Sequence, residues 1–200
     1  MSRGASTDSV GAAAAAPASG ARPTLESARL RFERITSSHA AELATELCDP
    51  RVYAFVDDRT APTPNELLSS FARKEAGPPP SRASEIWIDL AVRSKASAAS
   101  IGRVEATLQP SFAEIGYLFG CRHWGFGYAQ EAVAWLQAWV REQHAVSTFW
   151  ATVNPENTRS TALLARLGYS PTAPVRWPDR LLSYVEGDLV FCLHHDDAAA

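Results

Sequence analysis

The sequence predicts a mixed α/β fold in which a central mixed, mostly antiparallel sheet is flanked by helices. Helical patterns follow the first strand, and three strands then follow one another with short polar links. The chain closes in a strand–helix–strand–helix–strand order, and two glycines stand where one strand gives way to a strongly amphipathic helix. This order differs from the strict alternation of a doubly wound fold.

Length and composition are those of one globular domain, which we place at residues 23–196. The chain has 200 residues, 46% of them hydrophobic and 20% charged. Residues 1–22 are rich in Ala, Gly and Ser, which predicts a disordered tail rather than a signal peptide, and residues 197–200 form a second tail. No run approaches the ~18 apolar residues of a membrane span, so no membrane partner is expected.

Charge and cysteine content limit the functional classes and the cellular setting that fit this sequence. The formal net charge of -3 argues against a nucleic-acid-binding domain. Three cysteines, an odd number, suggest no disulfide framework, and a reducing, cytoplasmic setting is the simplest interpretation. The nearest approach to a metal cluster is Cys192, His194 and His195, which we interpret as a strand end running into the tail, so no metal is predicted.

The first half of the chain predicts one strand and two helices. Alternating apolar residues predict a strand over Leu30–Ile35, and Thr36 is expected to cap the helix that follows. Thr63–Glu66 combines a capping box with proline at the first helical position, which predicts the start of a second helix. Gly77 and the three prolines after it are expected to end that helix.

The middle of the chain predicts an antiparallel meander followed by a long helix. Ile86–Val92, Ile101–Leu108 and Ala113–Phe119 are the three expected strands. The helix carries apolar residues at i, i+3, i+4, i+7 and i+8, namely Ala132, Trp135, Leu136, Trp139 and Val140. This spacing favours a core role for both tryptophans over a ligand-stacking role.

The last third predicts two strands around a short helix. Val146–Val153 is the first of these strands. Asn154 or Asn157 can cap the helix, and Gly168 is expected to end it in a left-handed conformation. A Pro-rich turn then leads to a final strand over Leu189–Leu193.

The segment Trp124–Ala132 contains the two glycines at the strand–helix junction. The start of a helix leaves several backbone N–H groups unpaired, and its dipole favours negative charge. Glycine lets a ligand approach the backbone closely. The segment therefore predicts an anion site, most plausibly for a phosphate or pyrophosphate.

Four segments in order resemble the GNAT N-acetyltransferase superfamily, and most closely its RimJ/RimL-type branch. They are Glu114–Tyr117, Trp124–Ala132, Asn157–Ser160 and Leu167–Tyr169, and the resemblance covers about residues 25–195. It implies a GNAT-like fold and transfer of an acetyl group from acetyl-CoA to a primary amine, by direct attack in a ternary complex. The acceptor would be a small-molecule amine or a peptide N-terminus.

The resemblance also implies which residues hold acetyl-CoA. The pantetheine arm would pair with the strand end around Leu118, Phe119 and Cys121. The pyrophosphate would rest on the turn residues Trp124, Gly125, Phe126, Gly127, Tyr128 and Ala129. In the following helix Asn157 matches the asparagine that contacts the cofactor, and Ser160 matches a small polar position one turn on.

The chain departs from the superfamily at two positions. The glycine motif often begins with Gln or Arg, whereas Trp124 stands there in the preferred register; a second register would begin at Arg122. Many members place a tyrosine four residues before the helix-ending glycine as general acid, and Leu164 occupies that position. Protonation of the departing thiolate is therefore unassigned.

Other glycine-rich sites fit less well. A dinucleotide fingerprint needs Gly or Ala where Gln130 stands, and a nucleotide P-loop needs a Gly-Lys-Ser/Thr sequence that the chain lacks. A tight strand–helix connection without a ligand is the plainer alternative. Covalent catalysis through Cys121 is disfavoured because the branch uses no cysteine nucleophile.

Glu114 is the leading candidate for the general base, directly or through a water, and Glu105 is the reserve. The family often carries a catalytic carboxylate in the strand before the cofactor turn. Strand alternation places Tyr117 on the opposite face from Glu114. Together with Asp89, the two glutamates hint at a cationic acceptor, although such charges more often lie on a solvated sheet face.

Two other functional classes stay open from sequence alone. One is a non-catalytic acyl-CoA-binding or regulatory module with the same fold, which the leucine at position 164 favours. The other is a purely structural domain that does not bind CoA. The sequence identifies neither the acceptor nor the oligomeric state, so a homodimer also stays open.

Overall fold

The computed structural model of the protein describes residues 25–56 and 60–195; the predicted tails, 1–22 and 197–200, lie outside them. The strands of this part of the chain are β1 (Leu30–Arg34), β2 (Ile86–Ser94), β3 (Ser100–Leu108), β4 (Ala113–Phe119), β5 (Thr148–Val153), β6 (Ser170–Pro171) and β7 (Leu189–His194). Its α-helices are α1 (His39–Leu47), α2 (Pro64–Ala76), α3 (Tyr128–His144) and α4 (Thr158–Arg166).

The strands form one sheet in the order β1-β2-β3-β4-β5-β7-β6. All neighbours are antiparallel except β4 and β5, which are parallel and pair only through Ala113 with Phe149 and Glu114 with Trp150. The prediction of a mixed, mostly antiparallel sheet with flanking helices is confirmed. Because the pairing stops at Glu114, the rest of β4 and β5 leaves a gap in the sheet, which we call the β4–β5 opening.

The two faces of the sheet are covered by different helices. Leu136 of α3 and Leu164 of α4 are fully buried with Phe149 on one face. Leu43 of α1 and Phe71 of α2 belong to a second core on the other face. These packed layers fix the two ends of β4, between which the opening lies.

The predicted core role of the α3 tryptophans is confirmed. Trp135 stacks on Phe32 with ring centroids 3.8 Å apart, and Trp139 stacks on Trp135 at 6.0 Å. Both rings pack against the larger core. Aromatic pairs of this kind add to the area that they bury, so they fix α3 against β1.

Several predicted helix ends are also confirmed. Thr63 and Glu66 form the reciprocal capping box of α2, and Gly77 follows its last residue. Asn157 accepts the N–H of Ser160 and caps α4. Gly168 adopts a left-handed φ of 88° after that helix.

The predicted cap of α1 is wrong. The helix begins at His39 with Ser38 as N-cap, and no side chain caps it. The Thr36 hydroxyl instead lies 2.9 Å from His39 Nδ1, and the Thr36 N–H donates to the same nitrogen. The His39 side chain thus contacts the polar groups of Thr36 in a turn, and the helix begins two residues later than predicted.

The two-residue strand β6 was not expected. Ser170 and Pro171 pair with Cys192 and Phe191 of β7. Two residues are too few to show the alternation that identifies a strand. The β6–β7 connection, residues 172–188, then crosses back over the sheet. In the described part of the chain, no helix is long and apolar enough to cross a bilayer.

Candidate functional site

The glycine turn between β4 and α3 has a backbone that only glycine adopts readily. Gly125 and Gly127 have φ values of 82° and 77°, in the left-handed region, which costs other residues roughly 1–2 kcal/mol each. An added Cβ would meet nothing within 4 Å at Gly125 and only Arg29 at Gly127. The turn is therefore open to an approaching ligand. Helix α3 begins directly after it, at Tyr128.

The segment before β1 clamps this turn from outside. Arg29 donates from Nη1 to the Phe126 carbonyl oxygen at 2.9 Å and from Nε to Glu131 Oε2 at 2.5 Å. Its guanidinium also lies 4.7 Å from the centre of the Tyr128 ring. Ser27 Oγ donates to the other Glu131 oxygen at 2.6 Å. A segment about 100 residues away in sequence thus holds the turn at Phe126 and the first turn of α3 at Glu131.

A cavity of about 640 Å³ opens at the turn and runs along β4 and α4. Nine of the predicted cofactor residues line it: Leu118, Phe119, Trp124, Gly125, Gly127, Tyr128, Ala129, Asn157 and Ser160. The structure does not bring the other two to the cavity wall. The Phe126 side chain is 63% exposed, and the Cys121 side chain packs toward the second core.

Sequence reasoning missed the cationic rim of this cavity. Arg51, Arg159 and Arg166 line it, and Arg51 is paired with Asp49. The Arg159 guanidinium lies 4.4 Å from the centre of the Trp124 ring, an arrangement that orders it over the turn. A net charge of -3 for the whole chain conceals this local concentration of positive charge.

Two hydroxyl groups meet inside the cavity. Tyr117 Oη lies 2.6 Å from Ser160 Oγ. Burial raises the pKa of Tyr117 to about 12, although its hydrogen bond with Ser160 acts in the opposite direction. Leu164 is fully buried in the core, so the position that often carries an acidic tyrosine does not reach the cavity. Tyr117 and Ser160 do reach the cavity, as do Tyr128 and Thr158.

Glu114 lies on the other face of β4 from Tyr117, as strand alternation predicts. It is 5% exposed and is not among the residues that line the cavity. Its carboxylate accepts hydrogen bonds from the N–H groups of Leu182 and Ser183 and from the Ser183 hydroxyl. The sequence carried no signal for this contact, which joins residues 68 and 69 positions apart.

The reserve candidate, Glu105, belongs to a charged cluster on the same face as Glu114. Lys74 Nζ lies 2.5 Å from both Asp89 Oδ1 and Glu105 Oε2, and Arg103 pairs with the same Glu105 oxygen. Burial would raise the pKa of Glu105, but Arg103 and Lys74 outweigh it and hold that pKa well below its usual range. Burial and the Glu105 charge raise the pKa of Asp89.

This charged cluster reaches β4 at Gly116. A Cβ at that position would lie 2.7 Å from Glu105 Oε1, so a larger residue there would displace the Glu105 carboxylate. The three acidic residues named from sequence therefore do share one side of the sheet: Glu114 is buried, and Asp89 and Glu105 are partly buried in ion pairs. Within residues 25–56 and 60–195, no three His, Cys, Asp or Glu side chains are placed to hold a metal ion.

A family comparison agrees with this geometry. The sequence profile described as the acetyltransferase (GNAT) domain matches residues 29–170, which include both the clamp and the cavity. The chain belongs to the GNAT acetyltransferase family. The residues that the family model matches include Arg29, Glu131 and every residue that lines the cavity.

Known proteins resemble this GNAT domain over different extents. An uncharacterized N-acetyltransferase p20 from Bacillus licheniformis is 41% identical over 64 residues, which are 32% of this chain and 36% of that protein. A GNAT-family acetyltransferase from Bacillus anthracis has a TM-score of 0.68 at 15% identity, covering 85% of this chain and 97% of that one. The p20 match thus spans about a third of that relative.

A second similar solved structure contains coenzyme A. RimL, a ribosomal L7/L12 alpha-N-protein acetyltransferase in complex with coenzyme A, has a TM-score of 0.66 at 13% identity. The alignment covers 85% of this chain and 96% of that one. At these identities the two solved structures show a shared fold.

Proposed function

We propose that this protein transfers an acetyl group from acetyl-CoA to a primary amine. The main support for this function is one continuous cavity. It joins the glycine turn at the start of α3 to the Tyr117–Ser160 pair beside the β4–β5 opening. Its volume of about 640 Å³ falls within the usual range for small-molecule sites. A long ligand with an anionic end and a reactive end fits such a shape.

The residues present fit the phosphates of CoA. Among the described residues, no acceptor pairs with the N–H groups of Tyr128, Ala129 and Gln130 at the start of α3. These groups and the helix dipole favour a pyrophosphate at the turn. The cationic rim formed by Arg51, Arg159 and Arg166 supports a polyanionic ligand in the same cavity.

The chemistry requires two proton transfers. The acceptor amine, once neutral, attacks the thioester carbonyl carbon; the new C–N bond forms, the C–S bond breaks, and the CoA thiolate leaves. The thiolate takes a proton from the pair Tyr117–Ser160, since a hydroxyl whose pKa is about 12 stays protonated at neutral pH, and the pair regains a proton from solvent. The amine's own proton passes to a base, for which sequence analysis predicts Glu114.

The face of the sheet away from the glycine turn carries three carboxylates, those of Glu114, Asp89 and Glu105. Lys74 and Arg103 pair with the last two, which leaves one carboxylate in excess. We propose a cationic amine as the acceptor class, either a small molecule or a protein N-terminus. The three cysteines are free thiols, which supports a reducing compartment such as the cytoplasm.

An acetyl-CoA consumption screen tests this function. Polyamines, aminoglycosides, amino acids and peptides with free N-termini are offered as acceptors, and thiol release is measured beside the acetylated product. We expect one product for each thiol released with at least one acceptor class. Calorimetry with CoA separates the alternatives: binding without turnover indicates a non-catalytic CoA-binding module, and no binding indicates a structural domain.

A further inference from the structure

Glu114 makes all its described hydrogen bonds to one short piece of the β6–β7 connection. Oε1 accepts from the Leu182 N–H at 2.8 Å, and Oε2 accepts from the Ser183 N–H at 3.2 Å and the Ser183 hydroxyl at 2.9 Å. In the described part of the chain, no Lys, Arg or His pairs with this carboxylate. A buried carboxylate needs such donors, because burial without them is costly.

The same piece of chain is held on the neighbouring strand. Thr152 Oγ1 of β5 donates to the Ser183 carbonyl oxygen at 2.9 Å. Glu114 is the last residue of β4 that pairs with β5, and Thr152 lies two positions beyond its partner Trp150. Residues 181–184, here called the crossing segment, therefore span both strands at the point where the β4–β5 opening begins.

The crossing segment lies on the sheet face opposite α3 and α4. Strand alternation gives Glu114 the same face as Gly116, beneath which Glu105 lies. Trp150 and Thr152 share a face in the same way, and Trp150 is only 6% exposed. An amine that approaches the thioester through the opening from this face must therefore pass the crossing segment.

We propose that Glu114 is a positioning residue that holds the crossing segment as one wall of the acceptor site. The inference rests on the proposed function, because only an acetyl acceptor needs access through the opening. It replaces the prediction that Glu114 is the general base. A general base must reach the attacking amine, whereas the Glu114 carboxylate faces Leu182 and Ser183 and does not line the cavity. Water then takes the amine's proton, because Glu105 is paired with Lys74 and Arg103 and does not line the cavity either.

The two roles predict different results for Glu114→Gln. The amide would point an N–H₂ group at N–H donors, so the crossing segment would lose part of its anchor. If Glu114 only holds the crossing segment, Glu114→Gln raises the acceptor KM about tenfold, leaves the acetyl-CoA KM unchanged, and keeps the acidic limb of the pH–rate profile. If Glu114 is the general base, the variant loses roughly 10²–10⁴ in kcat together with that limb.

Ser183→Ala should produce a smaller rise in the acceptor KM, because it removes the hydroxyl donor and keeps the backbone donors. We expect an acceptor KM raised about threefold. Glu186→Gln is the matched control: it makes the same chemical change on the same connection, at an exposed side chain. The acceptor probes are spermidine and a peptide with an alanine N-terminus, which differ in charge and in size.

Limited trypsin digestion tests the anchor without turnover. Arg180 is exposed and immediately precedes the crossing segment. Arg176 is also exposed, lies earlier on the same connection, and serves as internal reference. Release of the anchor should speed cleavage after Arg180 several-fold in Glu114→Gln, with cleavage after Arg176 unchanged. Glu186→Gln should digest as the wild type does.

The outcomes separate this inference from the proposed function. Faster cleavage after Arg180 with the acidic limb retained supports the anchor. Unchanged cleavage in Glu114→Gln overturns it, and so does loss of the acidic limb whatever the digestion shows. A wild-type protein that acetylates neither probe nor any amine of the screen defeats the proposed function, while the digestion still decides whether Glu114 holds the crossing segment.

Discussion

The two sides of the β4–β5 opening are built from different parts of the chain. On the cofactor side, the turn at Gly125 and Gly127 presents backbone N–H groups at the start of α3. On the acceptor side, the carboxylates of Glu114 and Glu105 are bound to groups from distant segments. A backbone-built site is tied to a short local sequence, whereas a site built from side chains depends on contacts that the fold creates.

This difference explains what sequence could and could not predict. The left-handed Gly168, the Thr63 capping box and the core position of Trp135 follow from local rules of backbone and periodicity, so they were predicted correctly. The partner of Glu114 lies 68 residues away, outside any helix or strand. No local pattern records such a contact, and the Arg29 clamp was missed for the same reason.

A local pattern can also mislead when a side chain competes for backbone groups. Thr36 has the residue type and position of a helix cap, yet the imidazole of His39 takes its N–H instead. Helix α1 consequently begins later than expected. The acidic residues Asp89 and Glu105 likewise looked like a solvated face, and in the fold they are partly buried and paired with Lys74 and Arg103.

The largest expected effect on the cofactor side is loss of proton donation. Tyr117→Phe removes the hydroxyl that lies against Ser160 and leaves the packing of the ring in place. We expect kcat to fall by roughly 10² or more, the usual contribution of a general acid, with little change in CoA affinity. Stopped-flow detection of thiol release measures it. Unchanged kcat in both Tyr117→Phe and Ser160→Ala would remove this pair from the mechanism.

The next effect concerns the glycine turn. Gly127→Val forces a branched residue into a φ of 77° and narrows the approach to the backbone. CoA affinity should fall at least about tenfold, which is about 1.4 kcal/mol. Calorimetry measures the affinity.

Gly77→Val is the matched control for this turn. Its φ is 79°, and an added Cβ meets nothing within 4 Å. The backbone strain is at least as large, because the ψ of Gly77 is -170° whereas that of Gly127 is 9°, but Gly77 lies after α2 and does not line the cavity. We expect Gly77→Val to lose at least as much melting temperature and weaker CoA binding in Gly127→Val alone; equal CoA affinities would count against the turn as the phosphate site.

A smaller effect should follow from releasing the clamp. Arg29→Ala removes the contacts to the Phe126 carbonyl and to Glu131. Because the Arg29 side chain is half exposed, we expect only about a three- to fivefold rise in the acetyl-CoA KM. Steady-state kinetics at saturating acceptor measure it, and Arg31→Ala, a more exposed arginine two residues on, is the control. A rise in the acceptor KM instead would show that the clamp serves the other side.

The smallest effect is expected at Asn157, whose side chain both caps α4 and lines the cavity. Asn157→Ala should cost roughly 1 kcal/mol of apo stability through the lost cap, which lowers the melting temperature by about 2–4 °C. Thr63→Ala, which removes the cap of α2, should cost a similar amount. If Asn157 also contacts the cofactor, only Asn157→Ala raises the acetyl-CoA KM; equal KM values would leave Asn157 as a cap alone.

The most direct test of the central claim is a titration with CoA followed by backbone amide NMR. The account predicts the largest chemical-shift changes at the N–H groups of residues 125–130, where the turn meets the N-terminus of α3. Smaller changes should follow along Leu118 and Phe119 at the end of β4. Saturable binding whose largest changes lie away from the turn, or no binding at millimolar CoA, would contradict it.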